Sequence, residues 1–222
     1  MQNLKLNDKS IRHGIKMLEI TKTPLFTQEV FSFVLPNHNE WIKHITQIVL
    51  VEENKNIHEH DTAPKEACNI MAKRTAWNSH QRYQILNDLC KEITLHLEKF
   101  IEEEGYDIPT LRVNSCWINW YKKNQYAQPH KHNDQLSVVF FVDVERSNGK
   151  FFFYSNDNAV LIKKDETRTN FSNAVQVNAK DGTVLFFDGT VSHSVSSNTT
   201  NNNRITVAIN FEVSYDQERN EY

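Results

Sequence analysis

The chain has 222 residues, 39 % of them apolar, which is enough for one well-buried core with or without an elaboration. Its net charge of −3 provides no basic field to steer nucleic acid, and no apolar run approaches the roughly 20 residues that span a bilayer. Three scattered cysteines (Cys68, Cys90 and Cys116) and a polar start, Met1 to Ser10, lead us to expect a cytoplasmic protein with reduced thiols and no membrane partner.

From Met1 to about residue 110 the pattern is largely helical. Pro36-Asn37-His38-Asn39 forms a turn that can start a helix, and Trp41, Ile42, Ile45, Ile48 and Val49 follow on one face. The charged stretch from Glu52 to Ala63 reads as a mobile loop. Its His58 and His60, like His96 further on, read as surface or satisfied core histidines. Tyr83 to Glu104 gives the clearest helix: Ile85, Leu86, Leu89, Ile93, Leu97 and Phe100 recur at helical period, and Gly105 stands where a C-terminal stop belongs.

After Pro109 the texture changes to short runs rich in Val, Ile, Phe, Trp and Tyr: Leu111 to Tyr121, Leu136 to Val144, Lys150 to Tyr154, Ala174 to Val177, Thr183 to Phe187 and Ile205 to Val213. Turn residues separate them at Asn133-Asp134, Ser147-Asn148-Gly149, Ala179-Lys180-Asp181-Gly182 and the Asn/Thr run from Asn198 to Asn203. Strands without intervening helices indicate an antiparallel sandwich or jelly roll, mainly β, with N-terminal helices bracing one outer face. The expected organisation is a single domain over residues 1–222, in which 1–110 form a helical elaboration and 111–215 a jelly-roll core carrying the site.

The chemistry concentrates between Pro129 and Thr206. Alternate residues of a strand point the same way, so His130 and His132 share a face, as do His132 and Asp134. His193 follows a long β-rich interval. Two clustered ligands and one remote histidine make a three-point metal face that leaves positions open for substrates, which suits Fe(II) as well as zinc. Eleven residues on, Arg204 opens an apolar strand and offers a planar fork for a carboxylate, with Thr206 on the same face. Together these features suggest a non-haem iron oxygenase that uses 2-oxoglutarate.

Trp117-Ile118-Asn119, Tyr126, Pro129-His130-Lys131-His132 and Leu136-Ser137 resemble the 2-oxoglutarate/Fe(II) oxygenases common in marine bacteria and phages. Ala76-Trp77-Asn78-Ser79 is similar to that family's Gly-Trp-Gln-Ser element, and His193-Ser194-Val195 with Arg204-Ile205-Thr206 resembles its closing motif. The resemblance covers roughly residues 75 to 213. It implies a double-stranded β-helix, Fe(II), 2-oxoglutarate and O₂, with hydroxylation as the default outcome. Asn124 and Val138 stand where the family has glycine.

Two ligand registers are open. One takes Asp134 as the carboxylate of a His132-x-Asp134…His193 triad; the other takes His130, His132 and His193, as in the family's Pro-His-x-His motif. Asn133-Asp134 is a natural hairpin corner ahead of the strand at Leu136, which favours His130. Asn119 and Ser137 are expected to add polar contacts to the co-substrate beside Arg204 and Thr206, and Trp77, Trp117, Tyr121 and Tyr126 to line the substrate mouth. The expected substrate is a small molecule or an amino-acid or peptidyl side chain, with nucleic acid disfavoured by charge.

Overall fold

The computed structural model describes residues 29–54, 70–105, 110–133, 136–154 and 174–214. Their elements run β1 (Val30–Val34), α1 (His38–Asn54), β2 (Ile70–Met71), β3 (Lys73–Arg74), α2 (Ser79–Arg82) and α3 (Gln84–Glu103). Then come β4 (Thr110–Tyr121), β5 (Tyr126–His130), β6 (Leu136–Asp143), β7 (Phe151–Tyr154), β8 (Ala174–Val177), β9 (Thr183–Asp188), β10 (Ser192–Val195) and β11 (Arg204–Ser214). The strands form a six-stranded sheet, β1-β9-β6-β11-β4-β3, facing a five-stranded one, β2-β5-β10-β7-β8. All these pairings are antiparallel. The fold is a jelly roll with helices on the outer face of its larger sheet. No helix among the described residues is long and apolar enough to cross a membrane.

Strand alternation sorts the side chains into two cores. Ile205, Val207 and Ile209 of β11 pack outward with Ile118, Trp120, Val138 and Phe140 against Ile45 of α1 and Leu86, Leu89 and Ile93 of α3. Between the sheets, Val139, Phe141, Leu185 and Phe187 meet Ala127, Phe151, Phe153 and Val195. Arg204, Thr206 and Ala208 point to this inner side, in register with Tyr121, Asn119 and Trp117 of β4. Because both faces of the large sheet are covered, β6 reads as an unbroken apolar run from Val138 to Val142.

The two main helices lie where their periodicity places them. Helix α3 stops at Gly105, whose φ of +74° is the left-handed geometry of a helix stop. Helix α1 extends three residues into the stretch expected to be a loop, because Glu52 has a use there. Its carboxylate accepts the Tyr83 hydroxyl ahead of α3. Burial and that bond push the Tyr83 pKa up to about 12. The remainder of that stretch, with His58 and His60, lies outside the described residues, as does Cys68.

The segment expected to be helical also contributes β1, β2 and β3. In β1, Phe31 and Phe33 alternate inward against Phe186 of β9. The Ala76-Trp77-Asn78-Ser79 element is stitched to β4. Buried Ser79 bonds Thr75 Oγ1 at 2.7 Å, Thr75 Oγ1 accepts the Ile118 amide at 3.0 Å, and the Cys116 amide donates to Trp77 O at 2.7 Å. Asn124, in a family glycine position, has φ +67°, which asparagine tolerates better than other side chains. Its amide donates to the carbonyl of fully buried Asn198, whose side chain ties Tyr121 O to Asn202 O and so orders the Asn/Thr loop.

Among the described glycines, Gly182 is the most confined. It has φ +87°, and a Cβ there would stand 2.4 Å from His38 Cγ. Gly182→Ala should therefore cost about 1–3 kcal/mol. The check is a lowered urea midpoint with an unchanged denaturant slope; an unshifted midpoint would contradict it.

Candidate metal centre

The site begins with an irregularity in β5. His193 pairs with His130 and Val195 with Ala127, so β5 holds one extra residue between the two pairs. Pro129 lies in this bulge, where its missing N–H removes no regular ladder bond. The bulge carries His130, the last residue of β5, opposite His193 of β10. His132 lies beyond the strand, so simple alternation does not place it. Its amide donates to Gly189 O at 2.8 Å, in the turn that leads into β10.

These contacts bring together His130, His132 and His193. One potential ligand atom from each lies within 4.8 Å of the others. Ring centroids are 5.4 Å apart for His130–His132, 4.3 Å for His130–His193 and 4.9 Å for His132–His193. Each ring has its Nδ1 engaged by an oxygen: Gln128 O for His130 (2.8 Å), Asn210 Oδ1 for His132 (2.9 Å) and Val191 O for His193 (2.9 Å). Those oxygens accept, so Nδ1 carries the proton and Nε2 keeps its lone pair. Three oriented imidazoles are a donor set suited to Fe(II), Zn(II), Ni(II) or Cu(II).

Burial keeps two of these rings neutral. His193 is 4 % exposed, stacked on Phe151 at 5.5 Å and edge-on to Phe187 at 5.0 Å. That enclosure, followed by repulsion from His130, pulls its pKa down to about 3. Burial lowers His130 as well. Neutral imidazole is the form that binds a cation.

Arg204 lines the same cavity, along with Thr206, Asn119, Trp117 and Tyr121. It is 1 % exposed, and burial pulls its guanidinium down to about 10. Its Nε donates to Gly149 O at 3.2 Å, and the planar group lies over Tyr121 and Phe141. Buried Nη1 has no hydrogen-bond partner among the described residues. A cation desolvated without a carboxylate is costly, so the pocket is electrostatically prepared for an anion. Gly149 makes room for it, since a Cβ there would lie 3.0 Å from Arg204 Cδ.

Other expected site residues fall into different places. Thr206 is buried beside Arg204, and Asn119 accepts Trp117 Nε1–H at 3.0 Å. Ser137 does not line the cavity near Arg204; its hydroxyl stands 3.1 Å from both His132 Nδ1 and Asn210 Oδ1, where it braces the ring. Asp134 lies outside the described residues. Trp117 and Tyr121 line the cavity, whereas Trp77 touches it only through Trp117, edge-on at 4.4 Å, and Tyr126 does not line it. Asn210 was not anticipated, although it lies an even number of residues from Arg204 and so faces the same side. The cavity holds about 30 Å³, room for about one water.

A family model described as "Putative 2OG-Fe(II) oxygenase" matches residues 115–210. No curated protein matches the chain in sequence. Solved structures do. A prolyl hydroxylase from Trichoplax adhaerens, in complex with a hypoxia inducible factor oxygen degradation domain peptide fragment, is 12 % identical. The likeness covers 84 % of each chain, with a TM-score of 0.60. The non-heme alpha ketoglutarate dependent epimerase SnoN from nogalamycin biosynthesis is 14 % identical over 83 % of this chain and 76 % of its own, with a TM-score of 0.59. HygX from Streptomyces hygroscopicus, solved with nickel, 2-oxoglutarate and hygromycin B, is 10 % identical over 84 % of this chain and 83 % of its own, with a TM-score of 0.58. The chain therefore has a 2OG/Fe(II)-oxygenase-like fold, the double-stranded β-helix. Nothing in these likenesses ties it to marine bacteria or phages.

The depressed His193 pKa has a measurable consequence in the metal-free protein. Its folded value, about 3, lies below the ordinary 6.5, so the unfolded chain binds more protons between those limits. The stability that neutral His193 contributes is complete above pH 6.5 and declines as pH falls toward 3, by about 1.4 kcal/mol per pH unit. Urea midpoints measured from pH 7 to 4 should slope less steeply for His193→Gln. An unchanged slope would assign the titration to other groups.

Proposed function

We propose that the protein is a non-haem metal enzyme in which three imidazoles hold one divalent ion and Arg204 holds 2-oxoglutarate as co-substrate. The observation that carries this reading is a buried, anion-seeking guanidinium lining the same cavity as three Nε2-presenting histidines. The family match and the fold agree with it. The reading takes residues 1–222 as one cytoplasmic domain acting on a small molecule or an amino-acid or peptidyl side chain, with O₂ as oxidant.

His130, His132 and His193 would hold Fe(II) in their Nε2 fan. Bound Fe(II) in such a site supplies O₂ activation coupled to decarboxylation of 2-oxoglutarate to succinate and CO₂, and hydroxylation of the substrate. The rest is positioning by the chain. Asn210 and Ser137 fix the tautomer and tilt of His132, while the Gln128 and Val191 carbonyls do the same for His130 and His193. Arg204 binds the distal carboxylate through paired N–H donors, Thr206 adds a hydroxyl, and Asn119 points an amide into the same space. Phe151, Trp117 and Tyr121 exclude water. Asp134 is the alternative third ligand to His130, and substitution separates the two. His130→Ala should abolish tight metal binding, whereas Asp134→Ala should cost only turn stability, about 1 kcal/mol. The reverse pattern would make the site a two-His-one-carboxylate triad.

A second reading is a cupin-like three-histidine metalloenzyme that needs no co-substrate. The all-imidazole face and the cavity of about 30 Å³ favour it, because 2-oxoglutarate enters only if side chains withdraw. A non-enzymatic jelly-roll module with a structural ion would share the same three ligands.

Turnover separates these readings. Metal-loaded protein should bind one Fe(II) or Mn(II) per chain and form succinate slowly from 2-oxoglutarate, and His193→Ala should stop it. Stoichiometric metal without succinate would favour the cupin-like enzyme or the binding module. Arg204→Ala should weaken 2-oxoglutarate about ten- to hundredfold, since a charge-assisted pair contributes about 1.5–3 kcal/mol. Arg204→Lys should restore part of that, because a point charge lacks the planar fork. Unaltered co-substrate dependence in Arg204→Ala would also favour the second reading. Asn210→Leu should lower metal affinity about ten- to hundredfold in an Mn(II) titration, as loss of an outer-shell partner does elsewhere. An unchanged affinity would mean that His132 needs no brace.

A further inference from the structure

Arg204 stands between two cavities. The metal-side one holds about 30 Å³; behind Arg204 lies another of about 300 Å³. Their linings share Phe151 and Arg204 and no other residue, so these two side chains form a partition. No histidine of the triad lines the outer cavity. Its wall comes from the β6–β7 connection (Glu145, Gly149, Lys150) and the β8–β9 connection (Asn178, Ala179, Lys180), together with Phe141 and Val177.

The charges in this outer cavity are unbalanced. Lys150, Lys180 and Arg204 face one carboxylate, Glu145, which is engaged by the Asp181 amide at 3.4 Å. Neither lysine ammonium makes an ion pair among the described residues. Nearby Asp143 is held in a two-bond pair by Arg146 and does not neutralise Arg204. The guanidinium is thus buried, lacks a partner at Nη1, and lines a cavity ten times the volume of the one on its other side. The walls between the cationic ends are apolar: Phe141, Val144, Phe151 and Val177.

We propose that the outer cavity is a second binding site, for a short linear dicarboxylate with one carboxylate on Arg204 and the other toward Lys150 and Lys180. The apolar walls suit the methylene chain between two charged ends. The site needs no metal. Only its consequence rests on the function proposed above: one guanidinium cannot serve anions on both sides equally, so an outer dicarboxylate competes with 2-oxoglutarate without entering the metal cavity.

The test uses metal-free full-length protein titrated with succinate by calorimetry. One succinate per chain should bind. Lys150→Met/Lys180→Met, at two exposed positions, should weaken it about tenfold or more, the equivalent of one charge-assisted contact. His193→Ala should leave succinate affinity within about twofold, since one outer-cavity contact would be needed for a tenfold change. A structure of the metal-free protein soaked in succinate should show it between Arg204 and Lys180. Absence of binding, retention in the double-lysine variant, loss in His193→Ala, or succinate seated beside the triad would each overturn the proposal. Failure of 2-oxoglutarate turnover would defeat the functional reading and leave the succinate titration unaffected, so the two failures are distinguishable.

Discussion

The register of β11 is the constraint on which the other features depend. It lies between β4 and β6 at the centre of the large sheet, and its side chains alternate between two environments. Ile205, Val207, Ile209 and Phe211 fill the core beneath the helices. Arg204, Thr206, Ala208 and Asn210 face the other way, toward the cavity and the histidines. A slip of one residue would exchange the two sets, putting a guanidinium into the helical core and isoleucines against the imidazoles. The apolar side of the strand is thus what fixes the polar side. The hydrophobic energy that specifies the register is of the order of 1.5–3 kcal/mol per large buried side chain.

Within that frame the site combines two kinds of electrostatic expense. Desolvation holds His130 and His193 neutral, and each of the three rings has its Nδ1 engaged by an oxygen, which leaves Nε2 with its lone pair. Arg204 remains charged in an equally dry place, supported by one carbonyl and two aromatic faces. Such a cation offers strong, oriented donors because water does not compete for them. Three imidazoles and a buried guanidinium thus line one small cavity. The β-sandwich draws them from different strands: Arg204 from β11, His130 and His193 from β5 and β10, and His132 from the connection after β5.

Much of this was legible in sequence, for identifiable reasons. Helices α1 and α3 and the strands β4, β6, β7, β8, β9 and β11 announce themselves by period or by concentrated β-formers. Gly105 and the Ala179–Gly182 turn mark their breaks through positive φ. Type and spacing mark His130, His132, His193, Arg204 and Thr206 as a candidate set, and the structure brings them to one cavity. Strand β5 was hidden because Pro129 argues against a strand until the bulge is seen, and β10 because Ser192-His193-Ser194-Val195 has only one β-former. In β1, Val30 and Val34 are exposed while Phe31 and Phe33 pack inward, so its alternation was readable but blurred by apolar residues on both faces. Sequence shows that the Ser137 hydroxyl faces inward but not which end of the barrel it reaches; in the structure it stands beside His132 and Asn210. Asn210 escaped notice for lack of a local motif; its role depends on a contact with a residue 78 positions earlier.

The central position of β11 also sets the order in which the protein can be assembled. Its partners β4 and β6 come much earlier in the chain, and Arg112 and Glu212, which pair across the β4–β11 ladder, are 100 residues apart. During synthesis β4 and β6 emerge with a vacant lane between them and with hydrogen-bonding edges and apolar faces exposed. Helices α1 and α3 can form beforehand, but the core they cover lacks Ile205, Val207 and Ile209 until the last described strand arrives. Topologies dominated by such distant pairings fold slowly and expose edges to other chains. The strand that carries buried Arg204 is therefore also the one whose late arrival completes the sheet, so a nascent or truncated chain lacking it would have neither the site nor a complete sheet.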